Sequence, residues 1–174
     1  NHRIQTSNGN IYAGGLSSAL GPDADIMITA FNSSGSQLWT NNITSTSQTS
    51  TVFDQVVIQS AGSSGFIIIG SVLDSLQDGL VLSKLNSTGS LVWSKIIYDT
   101  AGFSGLTSRE LITRNGNSFL ALGVRNLVQQ EAVVLETDSM GNIVWQKVFY
   151  DPNVFIDVCN IRNTNDGGSI IGGK

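Results

Sequence analysis

The chain has 174 residues, a length that suits one domain, and it is 40% hydrophobic but only 13% charged. That balance excludes intrinsic disorder, which needs low hydrophobicity with high net charge, and a formal net charge of −4 argues against nucleic acid, whose phosphates call for a basic patch. No apolar run exceeds the four residues of 66–69, far short of the roughly 18 needed for a helical span, so no membrane insertion is expected.

In chain order, short apolar runs alternate with clusters of Gly, Asn, Asp and Ser, the pattern of strands and hairpins. No segment keeps the 3.6-residue spacing of a helix. The chain starts at Asn1, His2 and Arg3 with no initiator Met or leader, and is expected to be a mature or excised piece. A clipped first strand at about 3–5 leads into a Gly-rich stretch, 6–15. Trp39 then closes a motif that returns at Trp93 and Trp145, 54 and 52 residues further on. Gly35, Gly89 and Gly141 stand four residues before these tryptophans, and Asn32, Asn86 and Asp138 three residues before the glycines. The Gly-rich signature itself recurs at 59–70, 113–123 and 164–173.

The second copy is the clearest, with strands predicted at 53–60, 66–73, 79–86 and 90–97. Four strands in a repeated period of about 53 residues are the arithmetic of a β-propeller blade. The expected fold is therefore all-β, a β-propeller segment of four-stranded antiparallel blades numbering about three and a half. Its blades are 1–52, 53–106 and 107–155, with a half-blade at 156–174. In that layout each Asx bonds its own main chain in the turn between the third and fourth strands, and Gly takes the positive-φ position. The Trp is a flat wedge between neighbouring blades.

The motifs at 85–95 and 165–173 resemble the repeats of large secreted β-propeller proteins, with their Asp-x-x-Gly turn, following Trp and later Asp-Gly-Gly. They are also similar to the tryptophan-docking motif of quinoprotein propellers, with the Asx one residue closer to the Gly. The resemblance covers essentially the whole chain. It implies a propeller fold and an extracellular or cell-surface location. A quinone cofactor would need a calcium-ligating acid and amide cluster and a full ring, and neither is read here, so no cofactor is expected.

Both chain ends supply the first two strands of a blade, so the segment is not expected to close on itself. It is expected to belong to a longer polypeptide, assembly with copies of itself into a ring or filament is compatible with that, and an open stack of blades is the third alternative. The connections at 16–24, 44–52, 98–107, 126–130 and 150–155 are the longer ones and share one face, where binding residues concentrate. The candidates there are Tyr98, Asp99, Phe103, Tyr150 and Asp151, aromatic and acidic groups suited to a glycan or protein contact.

Catalysis finds little support. His2 is the one histidine, at a fraying terminus. Cys159, the one cysteine, forbids an intrachain disulfide and is expected to be a buried thiol in the half-blade's first strand. Asp23 and Asp25 are read as turn residues rather than a calcium site, because an acid precedes the third strand in each copy (Asp25, Asp78, Glu131). No metal site is expected. Asn32, Asn42 and Asn86 begin N-glycosylation sequons, about the number chance supplies among fifteen Asn. The expected role is a non-catalytic extracellular structural, adhesion or assembly module, with protein partners, copies of itself or glycans as its contacts. The alternative is part of a propeller enzyme or glycan-binding protein whose key residues lie outside this segment.

Overall fold

The computed structural model describes residues 3–7, 9–18, 24–43, 52–61, 65–73, 78–98, 106–114, 119–126, 130–154 and 156–173. Fourteen strands and no helix occur among them, so none of the described residues forms a helix long and apolar enough to cross a membrane. Sheet one contains β1 (Arg3–Ser7), β2 (Asn10–Ser18), β3 (Ala24–Phe31) and β4 (Gln37–Ile43). Sheet two contains β5 (Val52–Ser60), β6 (Phe66–Leu73), β7 (Asp78–Leu85) and β8 (Leu91–Tyr98). Sheet three contains β9 (Leu106–Thr113), β10 (Phe119–Asn126), β11 (Gln130–Thr137) and β12 (Ile143–Phe149), and sheet four β13 (Val158–Asn163) and β14 (Ser169–Gly173). Every sheet is an antiparallel meander with its strands in chain order.

The sheets stack in sequence through their faces. β5 packs on β1, β9 on β5 and β13 on β9, so the first strands lie side by side. This explains why β6 reads as a continuous apolar run rather than an alternating one: both of its faces are covered. Phe66 and Ile68 join Tyr12, Ile26, Ile28 and Ala30 in the core between sheets one and two. Ile67 and Ile69 join Leu111, Val133 and Leu135 between sheets two and three. Each such fully buried side chain contributes about 1.5–3 kcal/mol. The Tyr12 ring sits 4.0 Å from that of Phe66 and 6.0 Å from that of Trp39, centroid to centroid. Buried Ser71 and Ser108 link across the second core, the Ser108 amide donating to Ser71 Oγ at 2.7 Å and the Ser71 hydroxyl to Ser108 Oγ at 3.3 Å.

The tryptophans tie each sheet to the turn of the next. Gly89, at φ 83°, lies under the Trp39 ring so closely that an added Cβ would come within 2.7 Å of it. Gly141, at φ 75°, lies under Trp93 at the same 2.7 Å. The Trp93 indole N–H also donates to the Ser139 carbonyl at 3.1 Å. Two residues after each Trp, a second side chain reaches the same turn: Asn41 Nδ2 donates to the Gly89 carbonyl, and Lys95 Nζ to Asn142 Oδ1 at 2.6 Å.

Some strand limits differ from the sequence reading. β5 begins at Val52, one residue early, β9 begins at Leu106, inside the connection expected at 98–107, and β1 continues to Ser7, which pairs with Asn10. β7 and β8 are Asp78–Leu85 and Leu91–Tyr98, because Asn86 and Ser90 close the turn between them by a 2.9 Å backbone bond. Cys159 corrects the expectation of a buried thiol. It lies on β13 but is exposed, because the pairing skips from Val158 to Asn160. That bulge turns two successive residues outward while Val158 and Ile161 point in.

The turn glycines offer an internal control. Gly35 also has positive φ, at 81°, but nothing lies within 4 Å of its Cβ position. Gly35→Ala is expected to cost only the left-handed backbone strain, about 1–2 kcal/mol. Gly89→Ala and Gly141→Ala must also displace an indole, adding about 1–3 kcal/mol. Urea unfolding of the three variants measures the difference; equal losses would mean that the ring contacts do not couple the sheets.

Candidate functional site

Three equivalent turns line one end of the sheets, and each is built by an Asx side chain. Asn32 Oδ1 accepts from the Ser34 amide at 3.0 Å and the Ser36 amide at 2.8 Å. Asn86 Oδ1 accepts from Thr88 and Ser90 at 3.0 and 2.9 Å. Asp138 Oδ1 accepts from Met140 and Asn142 at 2.9 and 2.8 Å. One oxygen thus satisfies two amides that the tight turn removes from the ladder. It also fixes where the glycine meets the ring from the preceding sheet.

The interface between sheets three and four departs from the other two. Its apolar cluster is smaller, with Ile112, Ala132, Val134, Val158 and Ile161 buried. Polar links supply the rest. Buried Glu110 pairs with Arg162 at 3.1 Å, Arg109 approaches Asp157 at 4.0 Å, and Asn163 Nδ2 donates to the Thr113 carbonyl at 2.8 Å. Glu136 Oε2 accepts from the Trp145 indole at 2.7 Å and from Arg114 at 3.1 Å, and Arg114 also donates to the Gly167 carbonyl. Together Arg114, Glu136, Asn163, Thr164 and Asn165 line a crevice of about 370 Å³ beneath the β13–β14 turn. Its donors and acceptors suit hydrogen bonding to a hydroxyl- or amide-bearing group. Among the described residues no three His, Cys, Asp or Glu side chains gather as metal ligands.

Sheet three's outer strand is the least covered part of this interface. Trp145, Lys147 and Phe149 occupy the positions that Trp39, Asn41 and Ile43 hold in sheet one and Trp93, Lys95 and Ile97 in sheet two. Ile43 is 7% exposed, whereas Phe149 is 45% exposed. Lys147 Nζ lies 5.8 Å over its own Trp145 ring instead of reaching a neighbouring turn.

The residues singled out from sequence are scattered. Tyr98 and Tyr150 follow their tryptophans by five residues in neighbouring sheets, 40% and 52% exposed. Asp151 builds a turn of its own, Oδ1 accepting from the Asn153 amide at 2.8 Å. Asp99, Phe103 and His2 lie outside the described residues. Asn42 is exposed on β4, while Asn32 and Asn86 hold their turns. Sequence reasoning missed Arg114, Glu136 and Lys147. The available signal is a charged residue type on or just past a strand in a chain that is only 13% charged.

The Asp138 turn is pH-sensitive where its Asn counterparts are not. The Asn142 amide, the Asn142 side chain, the Met140 amide and the Lys95 charge, in that order, hold its carboxyl below the ordinary 3.8. Asp166 is lowered likewise by the Thr164 hydroxyl and the Gly168 amide. A carboxyl lowered on folding contributes stability that is fully present above its unfolded pKa, near 4, and is lost as pH falls through the folded value. Asp138→Asn is expected to preserve the turn at neutral pH, as Asn86 does, and to reduce the loss of stability below about pH 4. Chemical denaturation as a function of pH checks this; an unchanged acid limb would remove Asp138 from it. No protein-family model and no curated protein matches the chain, so function has to be read from this geometry.

Proposed function

We propose that the chain is a segment of a β-propeller, each sheet a blade, and that it serves as a non-catalytic structural, adhesion or assembly module of an extracellular or cell-surface protein. The observation that carries this reading is the recurrence of the ring-on-glycine contact, Trp39 on Gly89 and Trp93 on Gly141, between consecutive sheets whose first strands lie side by side. A repeated contact of fixed geometry generates a repeated rotation, and a repeated rotation of four-stranded sheets is a propeller. Low charge and the abundance of hydroxyl and amide side chains support the extracellular assignment, and the sequons at Asn32, Asn42 and Asn86 offer a way to test it. The partners are protein surfaces, including copies of the chain, and glycans. Tyr98, Tyr150 and Asp151 are the proposed contact residues among those described, and Asp99 and Phe103 complete the set in sequence.

An experimental structure tests the architecture. Superposing sheet one on two and two on three is expected to give the same rotation, roughly 45–90° for rings of eight to four blades, about one axis beside β1, β5 and β9. Unequal rotations would overturn the propeller. Intact-mass analysis of the protein from its native source tests the location. Glycan mass on at least one of the three asparagines is expected, and its loss on the matching Asn→Gln change identifies the site. An unglycosylated protein confined to the cytosol would overturn the extracellular part.

A further inference from the structure

The three Asx turns share a backbone but not a side-chain nitrogen. In the first, Asn32 Oδ1 accepts from the Ser34 and Ser36 amides and also from the Ser34 hydroxyl, at 2.7 Å. In the second, Asn86 Oδ1 accepts from the Thr88 and Ser90 amides and from the Thr88 hydroxyl, at 2.8 Å. Every one of these bonds falls on the oxygen, and among the described residues neither Nδ2 donates a hydrogen bond. The third turn differs at two positions. Asp138 has a second oxygen where its counterparts have nitrogen, and that oxygen accepts from Asn142 Nδ2 at 2.8 Å. Met140, 66% exposed, stands where Ser34 and Thr88 carry their hydroxyls. Asp138 Oδ1 still accepts both turn amides, at 2.9 and 2.8 Å. The turn therefore forms without the hydroxyl, and the two copies that keep the hydroxyl are the two that keep the amide.

We propose that Asn32 and Asn86 are N-glycosylation sites, each carrying an oligosaccharide on Nδ2 at the tip of its turn. The inference rests on the extracellular reading above and ranks its sequons by structure. Their number carries no weight, being what chance supplies; the geometry carries it. An acceptor Asn needs a hydroxyl residue two positions on, and at both turns that hydroxyl already lies on the acceptor's own amide. In the transfer, Nδ2 forms a bond to C1 of the first sugar of a lipid-diphosphate donor. The C1–O bond to the diphosphate breaks, its electron pair leaving with the diphosphate, and the Nδ2 proton passes to a base of the transferring enzyme. The product is a secondary amide whose oxygen is untouched, so both turn amides keep their acceptor. Gly89 is buried beneath Trp39 while Ser87 and Thr88 are exposed, so the turn gives one side to the ring and the other to solvent. Both sequons thus stay within reach after the sheets form. Asn42 is placed otherwise, in the β4 ladder opposite Met27, with Ile43 of its sequon only 7% exposed.

The test is occupancy resolved by site. Protein from its native source is treated with a glycan-releasing amidase in heavy-oxygen water, which leaves a labelled carboxylate at each asparagine that carried sugar, and its peptides are weighed. Label is expected at positions 32 and 86. Variants secreted from cultured eukaryotic cells separate the two roles open to the hydroxyl. Thr88→Met, which copies Met140, is expected to abolish occupancy at Asn86, and Thr88→Ser to retain it. The same variants made in a bacterial host, without sugar, report on the turn by urea unfolding. There Thr88→Met is expected to leave the midpoint unchanged, whereas Asn86→Ala lowers it because the turn loses its acceptor. If Thr88→Met lowers the midpoint as far as Asn86→Ala does, the hydroxyl serves the turn and the proposal fails. Secreted protein that lacks sugar at either turn, with or without sugar on Asn42, also overturns it and leaves the extracellular reading standing. A sugar-free protein confined to the cytosol overturns both.

Discussion

The contact between an indole ring and a turn with no side chain holds this structure in register. Four local requirements converge on it. An Asx oxygen closes the turn, a glycine at positive φ removes the Cβ, a strand beginning just after that glycine carries the Trp, and a polar side chain two residues beyond reaches the next turn. All four sit within about ten consecutive residues, yet the contact joins positions about fifty residues apart. Local sequence therefore specifies a non-local interface, the condition under which sheets of high contact order assemble without competing pairings. With one cysteine, the chain has no intrachain disulfide to do this instead.

The interfaces differ in how much they rely on that contact. Between sheets one and two, and two and three, aliphatic side chains fill the space and the ring seals the rim. Between sheets three and four, two strands bury little, and a two-stranded sheet alone is marginal in water. Arg162 on Glu110, Arg114 on Glu136 and Asn163 on the Thr113 carbonyl hold β13 and β14 in place. Glu110 is buried and Arg162 largely exposed, so this pair is half solvated, and its value lies more in positioning than in net stability. Glu136 accepts the Trp145 indole N–H, the group that in Trp93 finds the next turn's carbonyl. The acid thus satisfies within sheet three a donor that Trp93 satisfies across the interface.

What could be read from the sequence follows from how far apart the deciding residues are. The Asx, Gly and Trp set was legible because its spacing is fixed within one turn, and the structure gives each member the backbone or packing role that spacing implies. The exposure of Cys159 was not legible. Alternation along β13 predicts its side only if the ladder is regular, and the bulge between Val158 and Asn160 depends on the pairing with Gly172 and Gly173. The crevice is hidden for a related reason: Arg114 follows β9, Glu136 lies next to the end of β11 and Asn163 ends β13, and no sequence interval joins them. Tyr98 and Tyr150 read as loop residues in the sequence, yet Tyr98 ends β8 and Tyr150 directly follows β12, each five residues after its Trp, a correspondence the repeat already contains.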